Sequence, residues 1–251
     1  MKKMTAILLS ALMVLSLAAC GNSNQESETT EPEEAQNQTQ AAEIDGSSEE
    51  GTEDNTERGP ETDTAQANGS NILIAYFSVM ETDGVDTVAG ASRVAVDGET
   101  LGNNQYIAQI IQRETGGDLF SIETVQNYPT THDPLLDFAY EEKAENARPE
   151  LSAQIENPDD YNIIFLGYPN WNADLPMPLY TFLEEYDFSG KTIIPFTTHG
   201  GSGFSRTIQT ISEMQPDATV ISDGLFISRN SVPDAESDVV DWVNGLSLTT
   251  D

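Results

Sequence analysis

Three short stretches of this 251-residue chain carry side chains suited to holding a ligand. The first is Gly167-Tyr-Pro-Asn-Trp171, in which two large aromatics flank a Pro-Asn pair. Such a loop suits a flat ligand, because an aromatic face stacked on a planar ring adds on the order of 1 kcal/mol beyond area burial. The second is Thr197-Thr-His-Gly-Gly-Ser-Gly203, which combines hydroxyls, one imidazole and glycines that leave backbone N–H groups accessible. The third joins Ser78 to Gly102-Asn103-Asn104. A hydroxyl, a glycine and the start of a helix together make a phosphate site, since the first N–H groups of a helix have no partner within it.

The elements that must position these residues follow from hydropathy pattern. Residues 72–77 (ILIAYF) are a buried strand ending at Ser78, and 79–101, with Gly84, Gly90 and Gly98, form an irregular excursion. Tyr106, Ile107, Ile110 and Ile111 recur at helical spacing, and Gly116-Gly117 closes that helix. Residues 118–125 alternate as an edge strand, and a helix over 135–148 follows. Residues 163–166 are a continuous apolar strand that Gly167 and Pro169 break, which puts Tyr168, Asn170 and Trp171 on a loop. A helix over 176–186, a strand over 191–196, a helix over 204–214, a strand over 218–226 and a helix over 233–246 complete the chain. Five strands alternating with helices predict an α/β fold: a doubly wound parallel sheet with helices on both faces and right-handed crossovers. The loops after its first, third and fourth strands gather at the topological switch point, so the three stretches define one pocket.

Within that pocket Trp171, following a Pro-Asn break, reads as a ligand contact, whereas Tyr168 reads equally as a residue packed on the next helix. His199 is placed to donate to the ligand, to shuttle a proton or to cap a turn. His132 has no metal-ligand spacing around it and reads as solvated, as do Asp133, Asp137, Glu141 and Glu142 on one helix face. Tyr106, Tyr180 and Trp242 read as core.

Residues 1–20 form a targeting segment. Lys2 and Lys3 precede an apolar run over 7–18, and Leu17-Ala-Ala-Cys20 ends it at the only cysteine. This resembles a bacterial lipoprotein signal, which implies cleavage before Cys20 and lipidation of its thiol. An uncleaved anchor and an ordinary cleaved signal are the alternatives, and each also puts the folded part outside the cytoplasmic membrane. With no cysteine after Cys20, disulfides, thiolate metal sites and cysteine catalysis are excluded. Residues 21–70 are polar and acidic, with Ile44 as the one large apolar side chain, and read as a disordered tether; 71–251 are the folded domain. The formal net charge is −33, from 43 acidic and 10 basic residues. Such a surface repels nucleic acid and anionic lipid, so membrane contact is expected through the lipid anchor only.

Taken together, Ile-Leu-Ile-Ala-Tyr-Phe-Ser78, Gly-Tyr-Pro-Asn-Trp171 and Thr-Thr-His-Gly-Gly-Ser-Gly203, in this order at three strand ends, resemble the flavodoxin family, in particular its Flavodoxin_4-like branch. The resemblance implies a five-stranded flavodoxin-like sheet of order 2-1-3-4-5 that holds flavin mononucleotide (FMN) non-covalently. By the same resemblance Ser78, Gly102, Asn103 and Asn104 match the phosphate loop. The match is interrupted by the excursion, and Leu101 and Asn104 stand where hydroxyl residues are expected. Tyr168, Pro169, Asn170 and Trp171 match the loop beside the isoalloxazine ring. Thr198, His199, Gly200, Gly201, Ser202 and Gly203 match the loop at its pyrimidine end. The implied function is electron transfer with a redox partner protein. The alternatives are an FMN-dependent oxidoreductase acting on a small quinone or nicotinamide, and, given the interrupted phosphate loop, a flavin-free binding module. A serine hydrolase built on Ser202 fits poorly: Phe204 stands where the nucleophile elbow needs glycine, and both histidines precede the serine.

Overall fold

A computed structural model describes residues 71–84, 88, 90–246 and 248. The expected signal segment, its Cys20 and the tether lie outside the described residues. The central sheet runs β4 (Asp118–Ser121), β1 (Ile72–Tyr76), β5 (Ile163–Pro169), β6 (Thr192–His199), and then β7 (Thr219–Val220) and β8 (Leu225–Ser228) in the last position. All its pairings are parallel. In order of appearance this is the expected 2-1-3-4-5 arrangement, with the fifth strand in two pieces.

Both faces of the sheet are covered, which is why its strands read as continuous apolar runs rather than alternating ones. Ile72, Ile74, Phe165, Ile194 and Phe196 face α1 (Asn103–Thr115) and α5 (Glu236–Gly245), meeting Ile107, Ile111, Val239 and Val243. Leu73, Ala75, Ile164 and Leu166 face the other way, toward Leu179 and Phe182 of α3 (Met177–Glu185) and Ile211 of α4 (Thr207–Met214). Helix α2 (His132–Glu145) begins three residues before the expected 135, because Pro134 falls in its first turn, where the missing N–H has no intrahelical role.

Four further differences from the sequence reading have clear causes. β5 does not break at Gly167 but continues through Pro169, paired to β6 as far as Thr198. Gly167 is there to make room: a Cβ would overlap the Phe196 ring lying over it from β6. The expected irregular excursion contains an antiparallel hairpin, β2 (Arg93–Val96) and β3 (Glu99–Gly102). Its turn is Asp97-Gly98, with φ of 53° and 83°, and this dipeptide is a strong hairpin signal that the sequence reading missed. The expected strand over 218–226 is split opposite Pro195. Ile193 accepts a bond from the Ile221 N–H, so Pro195, two residues on, presents its missing N–H to the same neighbour, and pairing resumes only at Phe196 with Leu225. Finally, β4 ends at Ser121 rather than 125, and the chain beyond makes only an isolated bridge from Thr124 to Leu151.

Candidate functional site

The carboxyl ends of β1, β5 and β6 converge as the topology requires. A cavity of about 180 Å³ opens there, lined from β5 and its extension by Pro169, Asn170, Trp171 and Asn172, and from β6 by Thr198, His199 and Gly200. The remaining walls are Glu81, Ala91 and Ser92 from the excursion, His132, Leu135, Leu136 and Ala139 from α2, and Arg229 after β8. A second cavity of about 370 Å³ adjoins it, sharing Glu81, Ala91, His132 and Arg229 and adding Asp83, Arg93 and Asn230.

Trp171 is held by a two-way backbone bridge with Asp174, across a turn in which Asn172 and Ala173 take φ of 54° and 59°. Its ring meets Phe77 edge-on at 5.5 Å and Tyr128 at 5.9 Å, so it lies half-buried on an aromatic base while lining the cavity. Lys143 braces the same turn, donating to the Asn172 carbonyl at 2.8 Å and pairing with Asp174 at 3.1 Å.

Asn170 ties the loop after β5 to the end of β6 and the loop after it. Its N–H donates to the Thr198 carbonyl at 2.8 Å and its Nδ2 to the Gly203 carbonyl at 2.6 Å. The latter bond fixes the amide orientation and leaves Asn170 Oδ1 buried without a partner. Thr198 Oγ1 accepts from Asn104 Nδ2 at 3.1 Å, which joins the start of α1 to the end of β6. His199 Nδ1 accepts from the Gly201 N–H at 2.8 Å, so the neutral ring caps a turn, and burial holds its pKa below the ordinary histidine value.

Of the residues the sequence singled out, Pro169, Asn170, Trp171, Thr198, His199 and Gly200 line the cavity. Tyr168 does not. It lies within β5, fully buried, with its hydroxyl donating to Thr207 Oγ1 at 2.8 Å; it is a core residue because the strand runs further than its glycine suggested. Gly201, Ser202 and Gly203 form the turn beside the cavity, where Ser202 is exposed and its carbonyl accepts from Ser205. Ser78 and Gly102 do come together despite the excursion between them: a Cβ on Gly102 would overlap the Ser78 hydroxyl. Asn103 and Asn104 follow at the start of α1, both 1% exposed, and none of these four lines either cavity.

His132 is not simply solvated. Its Nδ1 lies 2.7 Å from Glu81 Oε1, and its backbone N–H donates to the Asp83 carboxylate at 3.1 Å. With the Thr82 N–H donating to the Thr130 carbonyl at 2.6 Å, the excursion is clasped to the start of α2 across the cavity. Glu142 likewise leaves the solvated face it was assigned to. It is 6% exposed, accepting from the Tyr128 hydroxyl at 2.8 Å and from Gln126, and burial raises its carboxyl above the ordinary range. Glu81, Ser92 and Arg229 had no sequence signal, because only tertiary contact carries them to the site. Among the described residues no group of three histidine or carboxylate side chains is arranged to hold a metal ion.

Comparison with known proteins agrees with this architecture. Crystal structures of candidate flavoproteins from Bacteroides eggerthii and Bacteroides uniformis superpose with TM-scores of 0.52 and 0.53, at 23% and 24% identity. The alignments cover 71% and 69% of this chain and 98% and 97% of those. A flavoprotein in complex with FMN from Lactobacillus acidophilus gives a TM-score of 0.45 at 20% identity, covering 66% of this chain and 97% of its own. No curated protein matches. The flavodoxin family model Flavodoxin_4 matches residues 94–246, more than half of the chain, and the protein therefore belongs to this family of flavodoxins.

Proposed function

We propose that the protein binds FMN at the carboxyl edge of its sheet and serves as an electron carrier, tethered outside the cytoplasmic membrane by a lipidated Cys20. The observation that carries the reading is the cavity between the ends of β5 and β6. It combines an apolar wall of Trp171, Pro169, Leu135 and Leu136 with a polar edge of Asn170, Thr198 and His199. An isoalloxazine ring needs both. The buried, unpartnered Asn170 Oδ1 is an acceptor in want of a donor, and the ring's imide N–H is one. The smaller cavity alone lies below the roughly 300–1,000 Å³ of small-molecule sites, and the larger lies within that range. The ring end of the cofactor fits these residues. At the expected phosphate end the Gly102 and Asn103 N–H groups already have partners within the protein.

Bound there, the flavin would supply one- and two-electron chemistry, and the protein would bind, orient and tune it. Trp171 would pack on the ring, Asn170 would hold its polar edge, and the clasp from Glu81, Thr82 and Asp83 to α2 would limit water entry. A surface of net charge −33 disfavours an anionic reduced ring and steers basic redox partners.

The test uses the full-length chain purified in detergent. Addition of FMN is expected to quench flavin fluorescence and shift the visible spectrum at micromolar concentrations; no change would refute the reading. Steady-state oxidation of NADH or NADPH with a quinone acceptor would assign an oxidoreductase in place of a carrier.

A further inference from the structure

Two backbone donors at the amino end of α1, the anion site expected from the sequence, are taken by the protein itself. The Gly102 N–H donates to Gln105 Oε1 at 3.1 Å, and the Asn103 N–H to the Ser92 carbonyl at 3.2 Å. The Asn103 side chain donates to the Gly90 carbonyl at 3.3 Å, so the excursion lies over the helix start. The space that glycine leaves at 102 is taken by the Ser78 hydroxyl rather than left for a ligand.

A different group stands where the two cavities meet. Arg229 lines both, and its guanidinium has no hydrogen-bond or ion-pair partner among the described residues. The acids beside it are engaged elsewhere: Glu81 meets His132 Nδ1, and the Asp83 carboxylate accepts the His132 N–H. Its position is set by the fold. Ser228 pairs with His199 at the end of β8, which brings the next residue beside Gly200, where a Cβ would lie 3.9 Å from the guanidinium carbon. Arg93, 2% exposed and with Nε donating to the Asp83 carbonyl, adds a second positive charge to the larger cavity.

We infer that Arg229 binds the phosphate of the flavin nucleotide, in place of the amino end of α1. This rests on the FMN reading above. A guanidinium presents a planar fork of donors matched to phosphate oxygens, and at the junction of the two cavities it would hold a phosphate while the ring lies against Trp171.

Fluorescence titration of the full-length chain with FMN and with riboflavin, which lacks the phosphate, tests the assignment. The wild type is expected to prefer FMN about tenfold or more. In Arg229→Gln the preference should fall to near unity while riboflavin affinity stays within about twofold of wild type, which also reports an intact site. Arg229→Lys, a point charge, should retain part of it. An unchanged FMN preference in Arg229→Gln, or its loss in Ser78→Ala, would overturn the arginine assignment and leave flavin binding standing. Binding of neither flavin by the wild type would overturn both.

Discussion

Trp171 and Glu142 show how one side chain takes its role from what surrounds it. Trp171 rests edge-on against Phe77 and tilted against Tyr128, so its own packing holds its indole at the cavity. Trp171→Ala is expected to weaken flavin binding about fivefold to tenfold, the worth of one stacked aromatic, and to relieve part of the fluorescence quenching. Unchanged affinity in the same titration would mean that the indole does not touch the ring. Glu142 lies beneath this cluster, bonded to Tyr128 and Gln126. Its carboxyl is raised by burial, against the lowering effect of those two bonds. The folded state therefore holds the proton more tightly than the unfolded chain. The resulting stability is complete below the unfolded value of 4.5 and is lost as pH rises through the higher folded value. Glu142→Gln removes this dependence. Measured by urea unfolding, the wild type is expected to lose stability relative to Glu142→Gln as pH rises above 4.5; parallel pH profiles would contradict it.

Elements are decided by close approach as much as by hydropathy. At Gly167 the missing side chain lets the Phe196 ring close over β5, which keeps the strand paired as far as Pro169 and delivers Asn170 and Trp171 to the cavity. Gly167→Ala is expected to destabilise the protein by about 1–3 kcal/mol through overpacking. It should also weaken flavin binding, since the site hangs from this strand end. A urea midpoint equal to that of the wild type would show that the ring moves aside freely. Pro195 acts in the opposite sense, interrupting the ladder so that the fifth strand is built in two pieces and β8 ends beside His199. The same interruption brings Arg229 to the site.

For the whole molecule, net charge is the dominant feature. A net charge of −33 makes non-specific adhesion to anionic lipid unfavourable, so a covalent lipid is the expected route to a membrane. Among the described residues no helix is long and apolar enough to cross one. Lipidation at a lipoprotein cysteine supplies several acyl chains, enough for stable anchoring where one would be marginal. The full-length protein expressed in a bacterial host is therefore expected to enter the detergent phase on Triton X-114 partitioning, and Cys20→Ser to remain in the aqueous phase. Equal partitioning of the two would remove the lipoprotein assignment.

The sequence alone determined the doubly wound parallel sheet with its alternating helices, and it placed Asn170 and Trp171 at the strand end that lines the cavity. These depend on local signals: buried apolar runs, helical periodicity and the residues at strand ends. Even the missed hairpin was legible in Asp97-Gly98. Only the tertiary structure decided how far β5 runs, that Tyr168 is core, that Glu142 is buried and that Ser78 fills the space at Gly102. Each of these depends on which distant side chain occupies a given volume, and pattern along the chain does not encode that. Arg229 is the clearest case: Glu81 and Ala91 from the excursion, His132 from α2 and Gly200 after β6 line the same cavity from three separate segments, and packing alone makes them one site.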